Sequence, residues 1–95
     1  QNKEEEAQKA YEKAYYLYLA REFANCYSSC QSIQNKFPNS KLEDKIVFLM
    51  ALCKGGIKDI SEYTLQLKKF IQLYPQSPLK SEADALLKAL NQNIR

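Results

Sequence analysis

The chain has no histidine and no tryptophan. The missing histidine removes His-ligated metal centres and the base that most often activates a nucleophile. No carboxylate or lysine stands on an otherwise apolar face to replace it, so no nucleophile and base pair can be assigned, and neither an enzyme nor a bound cofactor is expected. Long apolar runs are also missing. The longest, Ile46 to Cys53, falls far short of the roughly 18 residues that argue for a membrane span, so a soluble domain is expected. Charge of one sign is scarce, with a net +3 spread over interspersed lysines, arginines and carboxylates. No basic stripe results, and nucleic acid is not expected as a partner. The three cysteines are odd in number, and Cys26 and Cys30 lack the further ligands a zinc site needs. Four residues apart on one helix, they are poorly placed for a disulfide, so any oxidative role would fall to Cys53. A start at Gln1, with neither signal peptide nor lipidation motif, suggests a piece of a longer protein or a processed form.

Proline and glycine are few and punctuate an otherwise helical pattern. From Lys3 to Arg21 neither occurs, and Ala7, Ala10, Ala14, Leu17 and Tyr18 recur at three- and four-residue spacing, which predicts an amphipathic helix. Phe23, Cys26, Tyr27, Cys30, Ile33 and Phe37 continue a second stripe that stops at Pro38. Ser40 with Glu43 has capping-box spacing and predicts the start of a third helix. That helix is apolar nearly all round from Ile46 to Cys53, so it should be central, and Gly55-Gly56 should end it. Asp59 with Glu62 predicts a second capping box, opening a stripe that runs from Ile60 to Tyr74. Ser77-Pro78 then starts a fifth helix with Leu79, Ala83, Leu86, Leu87, Leu90 and Ile94 on its apolar side.

The chain repeats itself. Phe37-Pro38-Asn39-Ser40 aligns with Tyr74-Pro75-Gln76-Ser77, 37 residues apart. At the same offset, Cys26, Cys30 and Ile33 match Tyr63, Leu67 and Phe70, and Ile46, Leu49, Met50 and Cys53 match Ala83, Leu86, Leu87 and Leu90. An aromatic-proline boundary closing a helix-turn-helix unit resembles the tetratricopeptide repeat, whose period is about 34 residues. The resemblance implies an all-α fold of about five helices, a right-handed superhelix of antiparallel pairs. It divides the single domain, 1–95, into one unit at about 3–38, a second at about 40–75 and an extra helix at about 78–94. The form F/Y-P-x-S is similar to repeats of periplasmic lipoproteins that assemble outer-membrane barrels. Ala51-Leu52-Cys53-Lys54-Gly55 through Phe70-Ile71-Gln72-Leu73-Tyr74-Pro75 is similar to repeats of Bacteroidetes secretion and gliding-motility lipoproteins.

In that family the first helix of each unit lines the concave surface. The resemblance therefore implies a peptide- or protein-binding face at Gln8, Tyr11, Glu12, Tyr15 and Tyr18. The corresponding positions of the later units would be Asp44, Val47, Ala51 and Lys54, then Ser81, Asp84, Lys88 and Asn91. Four of the seven tyrosines, Tyr11, Tyr15, Tyr16 and Tyr18, crowd onto this helix. Two readings stand. The rings either grip a partner, or they cover a core edge and pack against a preceding repeat or a second copy, as aromatic stripes at helical spacing usually do.

The expected function is a non-catalytic interaction scaffold. By resemblance its parent would be a lipid-anchored envelope protein on the periplasmic side of the outer membrane. The alternative is a regulatory helical-repeat domain attached to an enzyme or signalling protein. The central helix yields a direct expectation. Leu49→Asp or Met50→Asp should unfold the domain, because an unpaired charge in a dry helix interface has no compensation. A circular-dichroism melt near wild type would contradict it.

Overall fold

The alternation of long helical stretches with short polar turns resolves, in a computed structural model that describes residues 2–93, into five helices. They are α1 (Lys3–Leu19), α2 (Phe23–Lys36), α3 (Glu43–Ile57), α4 (Ile60–Leu73) and α5 (Lys80–Asn93), with no strand among the described residues. Each helix packs on the next and α1 also touches α3, giving a row of antiparallel helices 50 × 29 × 18 Å in extent. The fold is all-α and helical-repeat-like. Ile94, the last position of the expected fifth stripe, lies outside the described residues.

The turns repeat as faithfully as the helices. Arg21 and Lys58, 37 residues apart, are the two non-glycine residues with positive φ among the described residues, at 64° and 70°. Each sits just past a helix end where two amides close back on the last turn. Arg21 and Glu22 donate to the Tyr18 and Leu17 carbonyls, and Lys58 and Asp59 to those of Gly55 and Lys54. This pairing satisfies carbonyls that a helix end leaves without partners. Between the pairs, the Phe37 and Tyr74 amides bond the carbonyls four residues back. The Ser40 and Ser77 hydroxyls accept from the amides of Leu42 and Leu79, at 3.2 and 3.1 Å.

Several helix ends depart from their signals. Asn2 and Glu5 form the reciprocal capping box that opens α1, with Asn2 Oδ1 accepting from the Glu5 amide at 2.8 Å. Ser40 does not form one with Glu43. Its hydroxyl is taken by the tighter turn to Leu42, and α3 begins at Glu43. Asp59 does cap α4, accepting from the Glu62 amide at 3.3 Å, whereas the Glu62 carboxylate accepts from Gln66 rather than reaching back. Lys80 opens α5, past Pro78, because Ser77 bends the chain through Leu79 first.

Gly55 and Gly56 do not end α3. The helix runs through both and stops at Ile57. Neither has positive φ, so their role is spatial rather than conformational. A Cβ on Gly56 would lie 2.6 Å from the Phe23 ring, and one on Gly55 2.9 Å from Tyr63 Cε2. The missing side chains let rings from α2 and α4 lie against the α3 backbone.

The core consists of two clusters with α3 between them. Ile46, Leu49, Met50 and Cys53 pack with Ala7, Ala14, Cys26, Cys30 and Ile33 of α1 and α2. Phe48 and Ala51 pack on the other side with Leu67, Phe70 and Ala83 of α4 and α5. The expectation that the third helix is central holds, and its unusual apolarity is explained by cover on both sides. Cys26, Cys30 and Cys53 are fully buried free thiols at the α2–α3 contact. Their hydrogen bonds to Cys26, and then burial, push the Cys30 and Cys53 thiols up.

Gly56→Ala should lower stability by about 1–2 kcal/mol, the cost of overpacking, even though alanine is the better helix former. Lys58→Gly should raise it by roughly 0.5–1 kcal/mol by relieving the left-handed backbone. Thermal melts of the two variants, moving in opposite directions, check the assignment.

Candidate binding groove

The first helices of the pairs share one side of the row and form a groove of about 390 Å³. Its α1 wall is Tyr11 and Tyr15, its floor Phe48, Leu49 and Leu52 of α3, and its far wall Leu79 with Glu82 of α5; Lys45 stands beside the floor. The α3 residues sit there because they are the 37-residue images of α1 positions. Gln8, Tyr11, Glu12 and Tyr15 map onto Lys45, Phe48, Leu49 and Leu52. One helical stripe, repeated once, makes both surfaces.

Tyrosines run along α1 as a ladder. The Tyr11 and Tyr15 rings stack at 6.3 Å between centroids, Tyr15 and Tyr18 at 6.0 Å, and Tyr18 meets Phe23 edge-on at 5.6 Å. Three- and four-residue spacing puts these rings on one face, and offset stacking is their preferred arrangement. Tyr11 and Tyr18 are half-buried, whereas Tyr15 is 40% exposed toward the groove. Tyr16, 70% exposed, is off the ladder. Burial, with the neighbouring Tyr15 hydroxyl adding to it, pushes Tyr11 up to about 12. Burial likewise raises Tyr18. Both therefore remain neutral phenols across the physiological range.

The remaining sequence-derived candidates divide. Gln8 and Glu12 are exposed on α1 and hydrogen-bonded to each other at 3.0 Å, next to the ladder. Asp44 does not line the groove; its carboxylate accepts from the Ser77 hydroxyl at 2.6 Å and ties α3 to the turn before α5. Lys54 is on the opposite side, its ammonium 4.4 Å from the Tyr27 ring of α2. Val47 also belongs there, beside Met50 and Gln66. The face assigned to α3 from sequence, Asp44, Val47, Ala51 and Lys54, is thus one residue out of register. In a helix one residue is about 100°, enough to turn Val47 and Lys54 away from the groove and bring Phe48 and Leu52 into it. The same slip affects Ser81, Asp84, Lys88 and Asn91 on α5, where Glu82 lines the groove instead. The signal that finds the α3 residues lining the groove is the 37-residue offset applied to Tyr11 and Tyr15.

Among the described residues, no group of three or more cysteine, aspartate or glutamate side chains is arranged to hold a metal ion. Among the same residues, no helix is long and apolar enough to cross a membrane. The chain matches no protein-family model, no curated protein and no solved structure.

A phenol whose pKa is higher folded than unfolded stabilises the fold fully below the unfolded value. That stability is lost as pH rises through the folded value. For Tyr11 the window runs from 10.0 to about 12. An ultraviolet titration should show one tyrosine ionising last, near the top of that window, and Tyr11→Phe should remove that component while reducing the loss of stability above pH 10.0.

Proposed function

We propose that this chain is a non-catalytic protein-interaction scaffold of tetratricopeptide-like units, and that its ligand is a short peptide segment lying in the groove between α1, α3 and α5. The observation that carries the reading is the groove's composition. An aromatic wall, an aliphatic floor and isolated charges beside it are the ingredients of peptide recognition, in which a few rigid aromatic and aliphatic anchors supply most of the affinity. Lys45 and Glu82 do not pair with each other, since the single ion pair among the described residues is Lys80 with Asp84. Each is placed to meet a charge of opposite sign on the ligand. Neutral tyrosine hydroxyls add donors without the desolvation cost of a charge. The packing of α3 between its neighbours supports a rigid binding surface, which limits the entropy lost on binding.

On the resemblance of the F/Y-P-x-S boundary alone, the proposal extends to a right-handed superhelix and to a parent among envelope lipoproteins acting on the periplasmic side of the outer membrane.

A displayed library of random peptides selected on the intact chain tests the groove. The selected sequences should share an aromatic or branched aliphatic anchor. Tyr15→Ala and Leu52→Lys should each weaken them by about tenfold or more, in the range of hot-spot truncations. Because Tyr15 is partly exposed, its truncation should leave the melting temperature nearly unchanged. Selected peptides that bind both variants undiminished would contradict the reading.

A further inference from the structure

The outer face of the α1–α2 pair carries a second depression, of about 630 Å³, on the side away from α3. Its place in the repeat identifies its shape. Shifted by 37 residues, its lining residues Glu6, Lys9, Ala10 and Lys13 become Glu43, Ile46, Val47 and Met50 of α3. Its α2 residues Ser29 and Lys36 become Gln66 and Leu73 of α4. Of those images, Glu43, Ile46, Met50 and Gln66 meet α2. Ile46 and Met50 share a core cluster with Cys30 and Ile33. Gln66 donates to the Tyr27 hydroxyl at 3.1 Å, and Glu43 accepts from Gln34 at 3.4 Å. The depression is therefore a seat already shown, one unit along, to hold a helix.

Its chemistry differs from that of its image most on three long side chains, although Ser32 stands where the image has Lys69. Ile46, Met50 and Leu73 are replaced by Lys9, Lys13 and Lys36, all exposed, while Ala10, Ile33 and Phe37 keep an apolar floor. Glu6 is the single carboxylate among the lining residues, opposed by three lysines. A helix with glutamates or aspartates flanking an apolar stripe would lay the stripe on the floor and its charges against the lysines. Such complementarity acts on partner choice and association rate more than on depth of binding.

We propose that this face docks an acidic amphipathic helix of a partner protein, seated as α2 is seated on α3 and α4. The site is separate from the tyrosine groove and does not depend on it.

The probe is a synthetic helix-forming peptide with leucines at i, i+3, i+4 and i+7 flanked by glutamates, titrated into the isotopically labelled chain. Saturable shifts at the Ser29, Ser32 and Ile33 amides are expected. Affinity should fall about tenfold or more in the combined variant Lys9→Gln, Lys13→Gln, Lys36→Gln, hold when the same residues become arginine, and be unchanged by Tyr15→Ala. Because these side chains are on the surface, all variants should keep the wild-type circular dichroism. In a charge swap, Lys9→Glu with Lys13→Glu and Lys36→Glu should transfer preference to a peptide carrying lysines in place of the glutamates.

Four results would overturn the proposal. The first is equal binding of acidic and basic peptides, and the second is shifts centred on Phe48 and Leu52. The third is occupation of the face by anionic phospholipid vesicles but not by the peptide. The fourth is sedimentation showing that the face joins two copies of the chain and that the lysine variants abolish the dimer.

Discussion

The structure depends on the need to cover α3 on two opposite sides. A helix carrying Ile46, Phe48, Leu49, Met50, Ala51 and Cys53 as buried residues has no face it can give entirely to water. Burying such side chains is the dominant favourable contribution to folding, roughly 1.5–3 kcal/mol for each large one. It requires one pair of helices on each flank. The α1–α2 pair supplies one cover and α4 with α5 the other, and the short turns keep each pair antiparallel. The cysteines fit this scheme as small apolar side chains where α2 and α3 approach closely, and Gly55 and Gly56 extend the approach by removing side chains altogether.

Repetition at 37 residues turns this packing requirement into surfaces. Because the offset holds for the left-handed residues Arg21 and Lys58 and for the turn serines Ser40 and Ser77, the second pair is set down in the same orientation as the first. Equivalent stripes then fall on the same side of the row. One set of images, Tyr11 with Phe48 and Tyr15 with Leu52, becomes a groove. Another, Lys9 with Ile46 and Lys13 with Met50, is a packed seam inside the row and an open, charged seat at its α1 end. The outer side of α5 differs again. Its images of Val47, Phe48, Ala51 and Leu52 are Asp84, Ala85, Lys88 and Ala89, so that face is small and polar.

Much of this is legible in the sequence because it is written in short-range periodicity. The five helices, the central position of the third and the boundary at Phe37-Pro38 and Tyr74-Pro75 follow from spacing and from proline chemistry. What is not legible depends on groups distant in the chain. Gly55-Gly56 has the composition of a helix stop, and only the positions of Phe23 and Tyr63 reveal that it is a contact surface. Ser40 offers its hydroxyl to two competing amides, and local spacing does not decide between Leu42 and Glu43. The groove face of α3 is a question of rotation, since its apolarity is nearly uniform and no amphipathic pattern marks one side. Carrying Tyr11 and Tyr15 forward by the repeat resolves it where periodicity alone does not.

Native-state hydrogen exchange measured amide by amide tests the dependence on α3 most directly. If both covers must leave before α3 can open, the amides from Ile46 to Cys53 should be the slowest in the chain and should exchange with the free energy of global unfolding. The amides of α1 and α5, each covered on one side, should open at lower free energy. Protection in α1 or α5 that exceeds that of α3 would contradict the account.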